Sequence, residues 1–140
     1  METLITFKIG DELIGVDIGK VREVTEIAKP MTVPRAPAFL LGLVNVRGEV
    51  VPVISLKKRL GLTGEETSDF LLVIEDNGRV AGLKVDELMG TRRVDEKKIN
   101  RNSELLSTRK EKDFFLGVYE TEGKPILILN LTKTLAKEDT

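Results

Sequence analysis

At 140 residues, with 41% apolar and 32% charged, the chain has the size and composition of one soluble folding unit and is too apolar to be disordered. Its 22 lysines and arginines and 23 acids are interleaved without a long block of either sign, which argues against attraction to nucleic acid or anionic lipid. It has no cysteine and no histidine, which excludes disulfides, thiolate nucleophiles, serine-histidine triads and most zinc or iron sites.

At the start, Met1-Glu2-Thr3 carries an acid where a signal peptide needs positive charge. No run approaches the roughly 18 apolar residues of a membrane span, so the expected place is the cytoplasm, without direct membrane insertion. Apolar bursts at Leu4 to Ile9 and Leu13 to Ile18 flank Gly10-Asp11 and predict a first hairpin. A connector with Pro30, Pro34 and Pro37 follows, where a missing amide donor does least harm. A second hairpin joins Leu43 to Val46 with Val50 to Ile54 through Arg47-Gly48. Ser55 is placed to cap a short helix through Leu56 and Leu60, with Gly61 as its left-handed exit.

The third hairpin, Phe70 to Ile74 with Val80 to Val85, turns at Asn77-Gly78, the pair that a type I′ turn favours because both central residues need positive φ. The polar stretch from Met89 to Phe114, including Asn100-Arg101-Asn102-Ser103, reads as a loop insertion. Phe115 to Tyr119 and Ile126 to Leu129 form a fourth hairpin about Glu122-Gly123, and Asn130 caps a last helix over Thr132 to Leu135. Short basic clusters at Lys57-Lys58-Arg59, Arg92-Arg93 and Arg109-Lys110 read as solvated surface, with steering of an acidic partner as their second use.

The hairpins repeat. Gly42, Gly48, Ile54, Leu56 and Leu60 are echoed 75 positions later by Gly117, Gly123, Leu129, Leu131 and Leu135. Ile14-Gly15-Val16-Asp17-Ile18 is echoed 67 positions later by Ala81-Gly82-Leu83-Lys84-Val85. Two copies of hairpin, connector, hairpin and short helix predict two similar small β-barrels. Each is too small for a comfortable core of its own, so they should pack together and leave a groove.

The string Gly42-Leu43-Val44-Asn45-Val46-Arg47-Gly48-Glu49-Val50-Val51-Pro52-Val53-Ile54-Ser55-Leu56 resembles the signature segment of the CheW family, an N-x-R-G turn before an apolar strand with a central proline. Val80-Ala81-Gly82-Leu83-Lys84-Val85-Asp86 is similar to a second family segment, and Gly15-Val16-Asp17-Ile18 with Lys20-Val21-Arg22-Glu23-Val24 to a third. Ser55 departs from the Asp or Asn common there but keeps a capping oxygen. No kinase or receiver segment lies within these 140 residues, which disfavours reading them as the whole of CheA or of a CheV-type adaptor, a piece of a longer protein being the alternative.

The resemblance implies a mainly β fold of two interlocked five-stranded SH3-like barrels with a few short helices. They form one domain over residues 1–140, with subdomains at roughly 1–66 and 67–140 and possible strand exchange. It also implies a non-enzymatic chemotaxis adaptor without cofactor or metal. Its partners would be the cytoplasmic tip of methyl-accepting chemoreceptors and the regulatory domain of the histidine kinase CheA, and receptors would recruit it to the inner face of the membrane. A CheW-like adaptor of a pilus or gliding pathway is the variant reading.

Matching motif positions points to Ile5, Ile18, Val21, Val24 and Leu88 as receptor-binding, with burial in the core as the plain alternative. Arg47 joins them, because the equivalent turn position in the second copy is Glu122 and turn geometry does not require arginine; it is expected to pair with Glu23. Glu23, Gly42, Asn45 and Gly48 are assigned to shaping the interface; the structural alternative for Asn45 is satisfying backbone groups near the turn, and Gly42 and Gly48 read as backbone-permissive positions first and interface residues second. Kinase contacts are expected at barrel ends, with Val44, Val50 and Phe70 as candidates. A nucleic-acid-binding barrel would need a basic groove with stacking aromatics, for which five Phe, one Tyr and no Trp are poor material. An enzyme would have only Asp17 and Asp86 to offer, and Asp86 reads more simply as a cap for the turn after it.

Overall fold

Where apolar and β-branched residues come in bursts between glycine turns, the chain forms strands, and each burst pairs with its neighbour. The computed structural model describes residues 3–27, 29–65, 69–107, 109, 111–121 and 123–136. In order they form β1 (Thr3–Ile9), β2 (Glu12–Asp17), β3 (Val21–Glu26), β4 (Leu40–Val46), β5 (Glu49–Ser55), α1 (Leu56–Arg59), β6 (Phe70–Asp76) and β7 (Arg79–Lys84). β8 (Glu87–Arg93), β9 (Ile99–Asn100), α2 (Glu104–Ser107), β10 (Phe115–Tyr119), β11 (Ile126–Leu129) and α3 (Leu131–Thr134) follow. All four predicted hairpins are present as β1-β2, β4-β5, β6-β7 and β10-β11. Asn77 and Gly78 adopt φ of 51° and 80°, and Arg47 and Gly48 φ of 52° and 84°, so both tight turns have the positive φ pair of type I′.

The strands form two sheets, in the orders β8-β1-β2-β11-β10-β9 and β3-β6-β7-β5-β4. These orders are one plan built twice. In the first sheet β11 runs parallel to β2 with Ile128 opposite Gly15, and in the second β5 runs parallel to β7 with Val53 opposite Gly82. Gly15 and Gly82 are 67 positions apart and Val53 and Ile128 are 75 apart, so the repeat of the sequence is the register of the fold. Glycine is needed at both crossings: an added Cβ would lie 2.9 Å from Leu4 Cδ1 at Gly15 and 2.6 Å from the Leu71 side chain at Gly82. Leu4 and Leu71 are themselves repeat partners.

The strand after each first hairpin changes sheets. β3 follows β2 in the chain but pairs with β6, and β8 follows β7 but pairs with β1. The two barrels are thereby interlocked. The first carries a sixth, two-residue strand, β9; the corresponding place in the second is held by a single bridge from Met31 to Leu43.

Because side chains alternate along a strand, both faces of the central strands are buried against different cores. Leu72 and Ile74 of β6 enter a cluster shared by the barrels, with Phe7, Val16, Leu127 and Leu129 from the other sheet. Leu71 and Val73 face the interior of the second barrel with Val53. Leu4, Val94, Ile99, Ile126 and Ile128 fill the first barrel. The largest core thus lies between the barrels and makes them one unit.

Three expectations are corrected. The stretch from Met89 to Phe114 is not a plain loop: β8 covers its start, and β9, α2 and two single 3-10 turns lie within it. All seven residues of β8 are exposed, so that edge strand has no apolar alternation to betray it. The cluster Lys57-Lys58-Arg59 is not solvated surface, since Lys57 and Arg59 are buried and only Lys58 faces water. Arg109 is half-buried and pairs with Glu12 at 2.7 Å, while its predicted neighbour Lys110, like Glu122 of the last hairpin turn, lies outside the described residues.

Candidate functional site

The candidate binding residues are carried by β1, by β3 and β8, and by the 3-10 turn Ile18–Lys20 that feeds β3. Residues opposite one another on paired strands share a face. Val21 lies opposite Ile74, Val24 opposite Leu72, and Leu88 opposite Phe7, and all three partners belong to the core between the barrels. Val21, Val24 and Leu88 therefore point toward the opposite barrel, but from edge strands, where that core reaches the surface. Val24 is 36% and Leu88 39% exposed, whereas Val21 and Ile5 are half-buried against the same core. Ile5 and Val21 thus pack on the shared core from different barrels, while Val24 and Leu88 stand exposed opposite two of its members. Ile18, at the start of the turn, is 41% exposed. Asp17 caps that turn by accepting from the Gly19 amide at 3.0 Å.

Arg47 sits in the β4-β5 turn and donates from Nε to Glu23 of β3 at 2.9 Å, the pairing expected from sequence. β3 and β4 are the two edges of their sheet, so this contact closes the second barrel across its open seam. Arg22 of β3 does the same beside it, reaching Glu49 at 2.7 Å and Glu75 at 2.8 Å. The hydrogen bonds that Arg22 donates, first to Glu75 and then to Glu49, hold its guanidinium pKa above its usual value. The Arg47 side chain is 80% exposed, so its pair with Glu23 is screened and worth about 0–1 kcal/mol. Asn45 ties the turn, its Oδ1 accepting from the Gly48 amide at 2.9 Å. Gly42 is demanded by crowding, since at φ 148° a Cβ would come 2.4 Å from the Met31 carbonyl oxygen.

The barrels grip each other reciprocally through their short helices. Lys57 of α1 pairs with Asp86 at 3.1 Å, and Asp86 also accepts from the Gly10 amide in the β1-β2 turn at 2.7 Å. Conversely, Thr132 of α3 donates to Asp76 of the second barrel at 2.9 Å, and Lys20 pairs with the same carboxylate at 3.2 Å. Arg59 of α1 donates to the carbonyls of Thr134, Lys133 and Ala136 at 3.1, 3.2 and 2.8 Å, with its guanidinium 4.0 Å from the centroid of the Phe39 ring. Sequence reasoning missed this clamp because a basic triplet carries no sign of which member is buried. Asp17 and Asp86 are thus occupied separately, one capping a turn and the other joining the barrels. Among the described residues there is no group of three or more metal-ligating side chains. No described helix is long and apolar enough to cross a membrane.

Comparison with known proteins agrees with this architecture. The profile of the CheW-like domain matches residues 3–139. The chain is 32% identical over 138 residues to the chemotaxis protein CheW of Rhizobium meliloti (strain 1021), covering 97% of this chain and 88% of that protein. It is also 32% identical over 135 residues to the protein FrzA of Myxococcus xanthus, covering 92% of this chain and 82% of that one. Among solved structures, the scaffolding protein TtCheW of Thermoanaerobacter tengcongensis superposes with a TM-score of 0.84 at 32% identity, over 93% of this chain and 84% of that one. With the doubled barrel, the strand register and the N-x-R-G turn on the same chain, the protein belongs to the CheW-like domain family.

Proposed function

We propose that this chain is a chemotaxis coupling adaptor that joins the cytoplasmic tip of methyl-accepting chemoreceptors to the regulatory domain of the kinase CheA, without a catalytic centre of its own. Receptors would hold it at the inner face of the membrane. Family membership supports the adaptor role. The observation that carries the partner assignment is the apolar border between the barrels. A receptor tip is a helical hairpin, and Ile5, Ile18, Val21, Val24 and Leu88 offer it exposed or half-exposed apolar side chains from both barrels. Val21 and Leu88 are equivalent under the 67-residue repeat, so two helices would meet matched side chains. Arg47, with Glu23, Gly42, Asn45 and Gly48 behind it, forms a rigid polar rim for the same partner.

The kinase surface is proposed on the outward face of β4-β5. Val50 is 64% exposed there, and strand register puts Leu43 and Pro52 on its side of the sheet, with Met31, 70% exposed, opposite Leu43. Val44 points into the second barrel and is the weaker candidate, while Phe70 is 39% exposed at the start of β6. The test is calorimetric titration of the full chain with a receptor signalling fragment and, separately, with the kinase regulatory domain. Binding of both supports the reading, and binding of neither refutes it.

A further inference from the structure

The exposed basic pair Arg92-Arg93 is left unexplained by the coupling role. Arg92 lies opposite Leu4, whose side chain belongs to the interior of the first barrel, so Arg92 leans over the open end of that barrel. Its guanidinium stands 6.0 Å from the centroid of the Tyr119 ring. A concave mouth of about 650 Å³ opens there, and Leu13, Arg92, Lys98, Tyr119, Glu120 and Lys124 line it along with the turn residues Thr121 and Gly123. Leu13 and Tyr119 form its floor, packed on the core of Leu4, Ile126 and Ile128. Three cations face one carboxylate, Glu120, among the described lining residues. Lys124 is steadied by donating to the backbone carbonyl of Asp11.

The duplicated fold shows that this chemistry is not required to build a barrel. Leu4 opposite Arg92 corresponds to Leu71 opposite Thr25, and Tyr119 opposite Ile126 corresponds to Val44 opposite Val51. At the places of Arg92, Tyr119 and Lys124 the second barrel thus carries Thr25, Val44 and Glu49. The cationic rim and aromatic floor are peculiar to the first barrel. Barrel mouths are common ligand sites, and cations at low-dielectric walls select anions.

We propose that the mouth of the first barrel docks an acidic peptide segment of a partner protein, one that carries an apolar side chain among its carboxylates. The apolar side chain would rest on Leu13 and Tyr119, and the carboxylates would meet Arg92, Lys98 and Lys124. Bulk charge favours this occupant: the chain as a whole is at −1, so a confined positive rim attracts an acidic ligand without making the whole protein sticky to anions.

The test is a proton-nitrogen NMR titration of the isotope-labelled full chain with the blocked peptide Glu-Asp-Phe-Glu-Asp. The basic peptide Lys-Arg-Phe-Lys-Arg and inorganic phosphate serve as comparison probes. Saturable shifts confined to the amides of Leu13, Arg92, Tyr119, Thr121 and Gly123 are expected with the acidic peptide alone. Raising NaCl from about 50 to about 300 mM cuts the screening length to about 6 Å and should weaken binding severalfold. The double variant Arg92→Thr with Lys124→Glu, which installs the residues of the second barrel, should lose at least about tenfold in affinity. Lys98→Gln, a milder exposed change, should lose severalfold and serves if the double variant misfolds. The proposal is overturned if the acidic peptide produces no localised shifts, if the basic peptide shifts the same amides, or if the folded variants bind unchanged. Equal response to phosphate alone overturns the peptide assignment in favour of a small-anion site.

Discussion

Replacing Arg59 with methionine tests whether the clamp between α1 and α3 is a main tie between the barrels. Methionine keeps much of the side-chain volume and its contact with Phe39, so the change removes the charge and the donors rather than opening a large cavity. Charge-assisted hydrogen bonds contribute about 1.5–3 kcal/mol each, and among the described residues Arg59 donates to three carbonyls at the C-terminal end of α3. Stacking over Phe39 adds about 1–2 kcal/mol for a desolvated cation. Against these stand the several kcal/mol needed to strip water from the guanidinium, and the water that the freed carbonyls of Lys133 and Ala136 regain. The expected net loss is about 3 kcal/mol. For a chain of this size it lowers Tm by about 10 °C, since each kcal/mol shifts Tm by about 3–4 °C. Scanning calorimetry measures the Tm, and hydrogen exchange at the Thr134 and Leu135 amides reports whether α3 loosens first. A variant whose Tm stays within about 3 °C of the parent, with those amides equally protected, would show that the apolar core alone holds the barrels together.

Gly42→Ala should cost about 3 kcal/mol or more, because the new methyl meets the Met31 backbone rather than a mobile side chain; denaturant unfolding showing a loss under 1 kcal/mol would contradict the close approach. Arg47→Ala should change stability by less than about 1 kcal/mol, as an exposed pair does, while lowering receptor affinity about tenfold in calorimetry; unchanged affinity for receptor and kinase alike retires its interface role. Leu88→Glu, on an exposed edge strand, should leave Tm nearly unaltered and abolish detectable receptor binding while sparing the kinase, and retained receptor binding would move the site elsewhere. Val50→Glu should show the opposite split, with kinase binding lost and receptor binding kept.

Local signals made much of this protein legible before any coordinates. The four hairpins follow from apolar bursts about glycine turns, and the caps at Ser55 and Asn130 accept from the Lys58 and Lys133 amides as their side chains allow. The paired positions Gly15 with Gly82 and Gly42 with Gly117 already encoded the shared register. Each of these depends on residues a few places apart, or on comparing the chain with itself.

Tertiary structure alone decided the rest. β3 and β8 leave their own hairpins to pair with strands about 50 and about 85 residues away, and no short-range pattern names such a partner. Exposed edge strands lack the alternation that marks half-buried ones, so β8 read as loop. Which basic side chains are buried was equally hidden: Lys57 and Arg59 flank exposed Lys58, and the Asp86 carboxylate, the Glu65 carbonyl and the carbonyls at the end of α3 turn two cations inward. Burial of charge is a property of the partner surface, which assembles from distant segments only when the chain folds.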